Sequence, residues 1–364
     1  MLNMRYIKQY VNKTAAAISA AAILTFGGMV QQDSFLTAAE AVPAKAFTSQ
    51  FADVANHPWG AADMQKMIRL GILQGYSENN SFYAKPEKLI SRAEFASLLA
   101  RSIGLPDKTG ELPFEDSKSI PEWARGSVGA LYEKKIVQGE SGLTGKPYFK
   151  PQENVTRAEI VAMVSRALNS EQESEVTNPF KDVHENDWYY KNVLAANKLG
   201  IVSGRTAGTF VPNGTAKRVE VMAILSRFLE KDISRADPDS DIVDTVKDFH
   251  DQLKDMYNRN KGDKDLLAMT TGEAELGLRN GGAGIWESIP WEGSSVTIRH
   301  PFGAASVASK SDRLAVVNYS VSVSISPDDD SANIKSGISE KVYLTKIDNK
   351  WVIYAIDLIS ANTE

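Results

Sequence analysis

The chain has 364 residues, 24% of them charged and 43% hydrophobic, with a net charge of −5 and a pI near 5.6. This fits a soluble protein of two or three domains, and the acidic balance argues against a general nucleic-acid binder, which needs a basic surface to displace counterions. The absence of cysteine excludes disulfides, thiolate metal sites and cysteine nucleophiles.

The first element is a leader. Arg5, Lys8 and Lys13 make a cationic start, TAAAISAAAILTFGGMV follows at 14–30 without a charge, and Ala39-Glu40-Ala41 and Ala44-Lys45-Ala46 are of A-x-A type. This is the layout of a secretory signal peptide with its cleavage region, over residues 1–46. A retained membrane anchor is the competing reading, but the run is short for a span and rich in alanine. No later stretch is long and apolar enough to cross a bilayer, so an exported chain has no membrane partner after cleavage and stays at the cell only by binding.

Three repeats follow, roughly 60–65 residues apart. They open with FADVANHPWG (51–60), FEDSKSIPEWA (114–124) and FKDVHENDWYY (180–190), pairing Phe51 with Trp59, Phe114 with Trp123 and Phe180 with Trp188. Each then runs through a helical pattern into a turn: RLGILQG (69–75), EKKIVQG (133–139) and KLGIVSG (198–204). Each has an aromatic loop ending in or near proline: SFYAKP, PYFKP and TFVP. Each closes on an R-x-E motif and an apolar helix: SRAEFASLLAR, TRAEIVAMVSR and KRVEVMAILSR. Met64, Met67, Ile68 and Ile72 form one helical stripe, and Phe95, Leu98, Leu99 and Ile103 form a second. Gly71 and Gly75 allow the left-handed turn that ends the first helix. Each repeat is therefore a helix–loop–helix unit that needs its neighbours to complete a core.

Ser91 with Glu94, and Thr156 with Glu159, match the capping box, a cap worth roughly 1 kcal/mol. Capping does not call for Arg92 or Arg157, since a cation at the first helical position faces the positive end of the dipole. Arg218 persists although Lys217 replaces the capping hydroxyl. One reading is an anion site made of free backbone N–H groups, the dipole and a guanidinium. The other is an arginine that pairs with the Asp of Phe-x-Asp.

The ordered set F-x-D-V, W, G-I-x-G, F-x-P and [ST]-R-A-E resembles the S-layer homology (SLH) domain of bacterial surface proteins, over about residues 51–230. The resemblance implies repeats at 47–109, 110–175 and 176–232, assembled as an all-α pseudo-threefold helical unit. It implies secretion, attachment to a Gram-positive cell wall or S-layer, and inter-repeat grooves that bind secondary cell-wall polymer, often pyruvylated. The family's chief ligand contact falls on Arg92, Arg157 and Arg218, supported by groove glycines and aromatics: Gly75, Gly139, Gly204, Trp59, Trp123 and Trp188. The tryptophans have a competing reading as core, and Asp53, Asp116 and Asp182 read as loop-organising acceptors. FEDS, Lys135 and the longer loop QGESGLTGKPYF set repeat two apart, and AKRVE weakens the third groove.

After a polar linker at 233–241 the pattern changes, and residues 242–364 read as an α+β domain with a curved antiparallel sheet. Ile242, Val246, Phe249, Leu253 and Met256 form an amphipathic helix. GLRNGGAGIWESIPWEG (277–293) is a glycine-rich loop bearing Trp286 and Trp291. LAVVNYSVSVSIS (314–326) alternates, and KVYLTKIDNKWVIYAIDLI (341–359) is a hairpin turning at Asp348-Asn349-Lys350. The pattern is similar to the cone-shaped nuclear transport factor 2-like superfamily. Neither His250 nor His300 has metal-ligand spacing, no catalytic motif or cofactor signature appears, and His250 reads as a helix-surface or satisfied core residue. The expected whole is a multidomain, non-catalytic surface protein, its repeats tethered to cell-wall polysaccharide and its last module projecting outward to an unknown ligand or partner. A wall-displayed enzyme and an S-layer lattice subunit are the alternatives.

Overall fold

A computed structural model of the chain describes residues 51–78, 81–108, 110–141, 145–168, 177–231, 237–259, 264–279, 294–299, 305–327 and 334–363. The leader with its cleavage sites, Trp286, Trp291 and His300 lie outside the described residues. Each repeat is a pair of helices. The first holds α1 (Ala61–Arg69) and α2 (Arg92–Ser102), the second α3 (Glu122–Glu133) and α4 (Arg157–Ala167), the third α5 (Tyr190–Lys198) and α6 (Arg218–Lys231). The loop of the first repeat adds a small hairpin, β1 (Tyr76–Glu78) with β2 (Ser81–Tyr83). The predicted stripes are buried as one cluster: Met64, Met67, Ile68 and Ile72 from one helix and its turn, Phe95, Leu98 and Leu99 from the next, with Ile103 packed against them. No described helix is long and apolar enough to cross a membrane.

The turn after each first helix repeats bond for bond. Gly71 N–H donates to Ile68 O, Lys135 N–H to Tyr132 O and Gly200 N–H to Asn197 O, each at 2.8 Å. Gly71 and Gly200 are left-handed, with φ of 72° and 70°, and Lys135 takes the same conformation at 58°. A side chain in that region is strained by the close approach of Cβ to the carbonyl oxygen. Lys135→Gly is therefore expected to stabilise the protein by about 1 kcal/mol, read as a higher urea midpoint at unchanged slope.

The repeats pack second helix against next first helix: α2 on α3, α4 on α5, and α6 back on α1. At the centre, three peptide groups one residue before the helix caps close a ring. Val155 N–H donates to Ile90 O (3.0 Å), Ala216 N–H to Val155 O (3.3 Å) and Ile90 N–H to Ala216 O (3.2 Å). Repeats one and three therefore meet as directly as chain neighbours do.

The C-terminal part pairs helices with a sheet. Helix α7 (Asp239–Arg259) begins inside the segment read as linker, and α8 (Lys264–Ala268) and α9 (Gly272–Arg279) follow. The sheet is antiparallel: β3 (Ser294–Arg299) and β4 (Ser306–Lys310) both pair with β5 (Leu314–Pro327), then come β6 (Ile334–Ile347) and β7 (Lys350–Thr363). Register shifts at Ser339/Glu340 and Tyr343/Leu344 bend the long β6–β7 ladder. Its turn is the two residues Asp348-Asn349, both left-handed, which suits the twist of a hairpin. Ile242, Val246, Phe249 and Leu253 are buried against Val317, Tyr319, Val342 and Leu344, so the predicted amphipathic helix faces the sheet. The side chain of Met256 lies outside the described residues.

This domain does not project from the repeats. Tyr354 and Ala355 of β7 join the core cluster of the repeats, and Leu314 and Tyr343 pack against it. Asp237 accepts from Trp351 Nε1 (2.7 Å) and pairs with Lys346 Nζ (2.9 Å), which pins the connecting segment to the sheet.

Candidate functional site

Each joint between repeats is built from the same parts. Both carboxylate oxygens of the Phe-x-Asp residue bind two successive N–H groups of the aromatic loop. Asp53 holds Ala84 and Lys85, Asp116 holds Phe149 and Lys150, and Asp182 holds Phe210 and Val211, at 2.7–2.8 Å. This fits their reading as loop-organising acceptors and leaves none of them as the partner of an arginine. Burial opposes ionisation of Asp182, but the N–H groups of Phe210 and Val211 outweigh it and hold the carboxyl below its usual range.

The arginine of one repeat grips the same loop of the next from the other side. Arg92 Nε donates to Phe149 O (2.7 Å), Arg157 Nε to Phe210 O (2.9 Å) and Arg218 Nε to Ala84 O (2.8 Å). The guanidinium carbons lie over rings: Arg92 over Phe149 at 5.4 Å, Arg157 over Phe210 at 4.6 Å and Arg218 over Tyr76 at 4.9 Å. All three are buried, at 6%, 6% and 5% exposure.

Their remaining contacts differ. Arg92 Nη1 pairs with Glu159, the capping carboxylate of the next repeat, at 2.6 Å. At the second joint the equivalent Glu220 is taken by Arg205 (2.9 Å), and Arg157 Nη2 donates to Ser203 O (2.8 Å) instead. Burial pulls the Arg157 guanidinium down, against the charge of Glu220, yet it stays protonated at any ordinary pH. At the third joint Arg218 Nη1 reaches Tyr76 Oη at 3.4 Å, and Tyr76 donates to Glu94 at 2.7 Å. Lys85 and Lys88 also stand within 4.8 Å of the Tyr76 ring centre, so one phenol sits among three cations.

The helix N-termini are not open. Both complete capping boxes form, at Ser91/Glu94 and Thr156/Glu159, and at the third Glu220 still accepts from Lys217 N–H at 2.8 Å. The next N–H groups are taken by loop carbonyls of the following repeat. Arg92 and Ala93 donate to Glu153 O and Pro151 O, Arg157 and Ala158 to Gly214 O and Pro212 O, Arg218 and Val219 to Lys88 O and Pro86 O. The expected cradle of free N–H groups is thus corrected: those donors lock one repeat to the next.

The tryptophans are exposed. Trp59, Trp123 and Trp188 have 60%, 54% and 62% of their surface in solvent, which overturns the core reading. Each stands at the start of a first helix. At the third joint Gly60, beside Trp59, abuts Val219, beside Arg218. Gly75, Gly139 and Gly204 lie where a Cβ would press on the Phe-x-Asp ring of Phe51, Phe114 or Phe180 and on loop carbonyls. Their place in the structure is close packing behind the loop.

Residues missed by the sequence reading include Tyr76, Arg205 and the loop positions Lys85, Lys150 and Val211. These last three are left-handed, with φ of 51°, 58° and 61°, each just before a proline. For a β-branched residue such as Val211 this is a strained conformation, and strain of this kind collects at functional sites.

In the other domain, His250 and Glu340 are paired at 3.0 Å, with side chains 1% and 0% exposed. His250 Nδ1 lies 2.8 Å from Val246 O, so both ring nitrogens are engaged within the fold. The satisfied-core reading stands, and the helix-surface one does not. Burial, with the charges of Glu340 and Asp251, pushes the neighbouring Tyr319 hydroxyl upward. Among the described residues no group of three or more His, Asp or Glu side chains converges as a metal site.

Residues 50–96, 113–161 and 179–222 match the S-layer homology domain. The chain carries three consecutive S-layer homology domains, which mark it for attachment at a cell wall or S-layer. Its relatives include the amylopullulanase of Thermoanaerobacterium thermosulfurigenes, 30% identical over 190 residues, 51% of this chain and 10% of that protein. The middle cell wall protein of Brevibacillus brevis is 33% identical over 196 residues, 52% of this chain and 16% of that protein. The cellulosome-anchoring protein of Acetivibrio thermocellus is 30% identical over 155 residues, 40% of this chain and 33% of that protein. The chain therefore spans a third or less of the length of these relatives.

Proposed function

We propose that this chain is a non-catalytic surface protein held non-covalently to secondary cell-wall polymer, with the joints of a pseudo-threefold assembly of repeats 47–109, 110–175 and 176–232 as its binding grooves. The observation that carries this is the threefold recurrence of an exposed tryptophan at the start of the helix packed against the one that carries a buried arginine, with a strained loop at each joint. An exposed indole offers a face on which a sugar ring can stack. The guanidinium at each joint carries the charge that a carboxylate requires, which suits a polymer bearing pyruvate ketals. The relatives named for the cell wall and for cellulosome anchoring support the same reading. Three weak grooves on one polymer gain by effective concentration, by a factor on the order of 10²–10⁴. The domain at 242–364, a helix on a bent sheet reminiscent of a cone, is the displayed module.

The arginines make poor probes, because removing them also unlocks the joints. The tryptophans are clean ones. The triple variant Trp59→Ala, Trp123→Ala, Trp188→Ala is expected to keep its stability within about 1 kcal/mol, as exposed substitutions do. Its co-sedimentation with purified cell walls should fall at least roughly tenfold through lost avidity. Undiminished sedimentation of the folded variant overturns the reading.

A further inference from the structure

The third joint differs from the other two in how the chain supports it. Repeats one and two, and two and three, are sequence neighbours, whereas repeat three must return to repeat one. Like the second joint it lacks the buried ion pair of the first, and Arg218 has Tyr76 at 3.4 Å in place of a carboxylate. Along the α1–α6 packing, the side-chain bonds are those of Lys66 with Ser226 (3.2 Å) and Glu230.

The C-terminal domain touches both sides of this seam. Arg313, on the turn before β5, donates from Nη1 to Ile103 O of repeat one (3.3 Å) and lays its guanidinium over the Phe228 ring of repeat three (5.7 Å). Ser311 Oγ donates to Leu229 O at the end of α6 (2.8 Å). On the repeat-one side, Arg69 at the end of α1 pairs with Glu273 and with Asp357 (2.6 Å) and stacks on Tyr343 (4.8 Å). Burial pushes the Glu273 carboxyl upward against the pull of Arg69, and the charge of Asp357 adds to it, so one cation holds two acids together. Backbone meets backbone at two points. A Cβ on Gly272 would overlap Arg69 O, and one on Gly104 would stand 2.9 Å from Lys346 O.

We propose that the C-terminal domain is a clasp of the anchor: it grips repeats one and three together and holds the third joint closed, with Arg69 and Arg313 as positioning residues for the groove at Arg218. The structural claim stands by itself, while its consequence for binding rests on the wall-polymer reading above. The polar contacts and close backbone approaches fall at the C-terminal ends of α1, α2 and α6, and Arg218 begins α6. The helix from Arg218 to Phe228 and Leu229 separates clasp from groove by roughly 16 Å. The domain therefore acts through a packed helix pair and leaves the groove open.

Amide hydrogen exchange on the full chain tests this. Gly272→Val wedges the interface open. The Arg218 and Val219 amides, bonded across the third joint, should then exchange at least roughly tenfold faster. The Arg157 and Ala158 amides of the second joint should stay within about twofold, and the β5–β6 amides should stay protected, showing that the domain is folded. Where those strand amides lose protection, the pair Ser311→Ala and Arg313→Leu makes the same measurement from the repeat-three side. Unchanged exchange at Arg218 and Val219 overturns the proposal, as does equal loosening of all three joints. Wall co-sedimentation of the same variants separates the two ideas. A loosened joint with lowered binding supports both, and a loosened joint with full binding counts against the groove at Arg218 and not against the clasp.

Discussion

Arg92→Ala is expected to destabilise the protein by about 3 kcal/mol, the lower end of what breaking a buried charge pair costs. The substitution removes the Nε bond to Phe149 O and the Nη1 pair with Glu159 together. Glu159 is left as a carboxylate with 15% side-chain exposure and no counter-charge on that oxygen, and the Phe149 carbonyl loses its partner inside the joint. Stacking on the Phe149 ring goes as well. Arg157→Ala loses bonds to two carbonyls but no ion pair. It should cost about 2 kcal/mol, in the range of charge-assisted hydrogen bonds. Arg92→Lys is not a conservative control: an ammonium can reach Glu159 but cannot present the fork that also holds the carbonyl. Urea unfolding reads these differences as midpoints at constant slope. A cost under about 1 kcal/mol for Arg92→Ala would mean that the joint does not depend on this side chain. The order Arg92 over Arg157 matters as much as the size, because the two sites share the loop carbonyl and the ring and differ in whether the second partner is a carboxylate or the Ser203 carbonyl.

The same motif shows where sequence reading succeeds and where it stops. Ser91 with Glu94, and Thr156 with Glu159, act within four residues of chain, and the capping boxes predicted from their spacing are present. The helix stripes are local as well, and Met64, Met67 and Ile68 are buried as their periodicity requires. What satisfies the N–H groups of Arg92 and Ala93 lies about 60 residues ahead, on a loop whose carbonyls point at the helix only once the repeats assemble. No local pattern records that, so the donors looked free. The tryptophans failed in the opposite direction. Size and recurrence suggested core, but the Phe-x-Asp phenylalanines already fill the space behind the loop, with Phe114 on Phe149 and Phe180 on Phe210 at 5.4 Å. The docking of the last domain was hidden for a related reason. Nothing local in the sequence singles out Gly272 or Gly104, while their lack of a Cβ is needed by a backbone far away in sequence.

His250→Phe should destabilise the C-terminal domain by about 3–5 kcal/mol, the larger of the two effects, because it strands a fully buried carboxyl. The proton arithmetic is constrained. Val246 O can only accept, so the proton between it and the ring belongs to Nδ1. Nε2 and Glu340 Oε2, 3.0 Å apart, then share a single further proton. Whichever atom holds it, the pair is neutral as a unit, and a neutral pair can be buried where a lone charge cannot. The other carboxylate oxygen, Oε1, is buried and has no hydrogen-bond partner among the described residues, so nothing nearby compensates when His250 is lost. Glu340 then gives up its one strong contact. Glu340→Gln keeps a donor for Nε2 and should cost far less, about 1 kcal/mol. The double variant His250→Phe, Glu340→Leu removes both polar partners from an apolar setting and should recover most of the loss, since apolar replacement of a buried pair is often neutral or better. A double-mutant cycle on thermal or urea unfolding measures the coupling. Additive losses from the two single variants would mean that the pair does not act as a unit, and that each side chain is held by the surrounding packing alone.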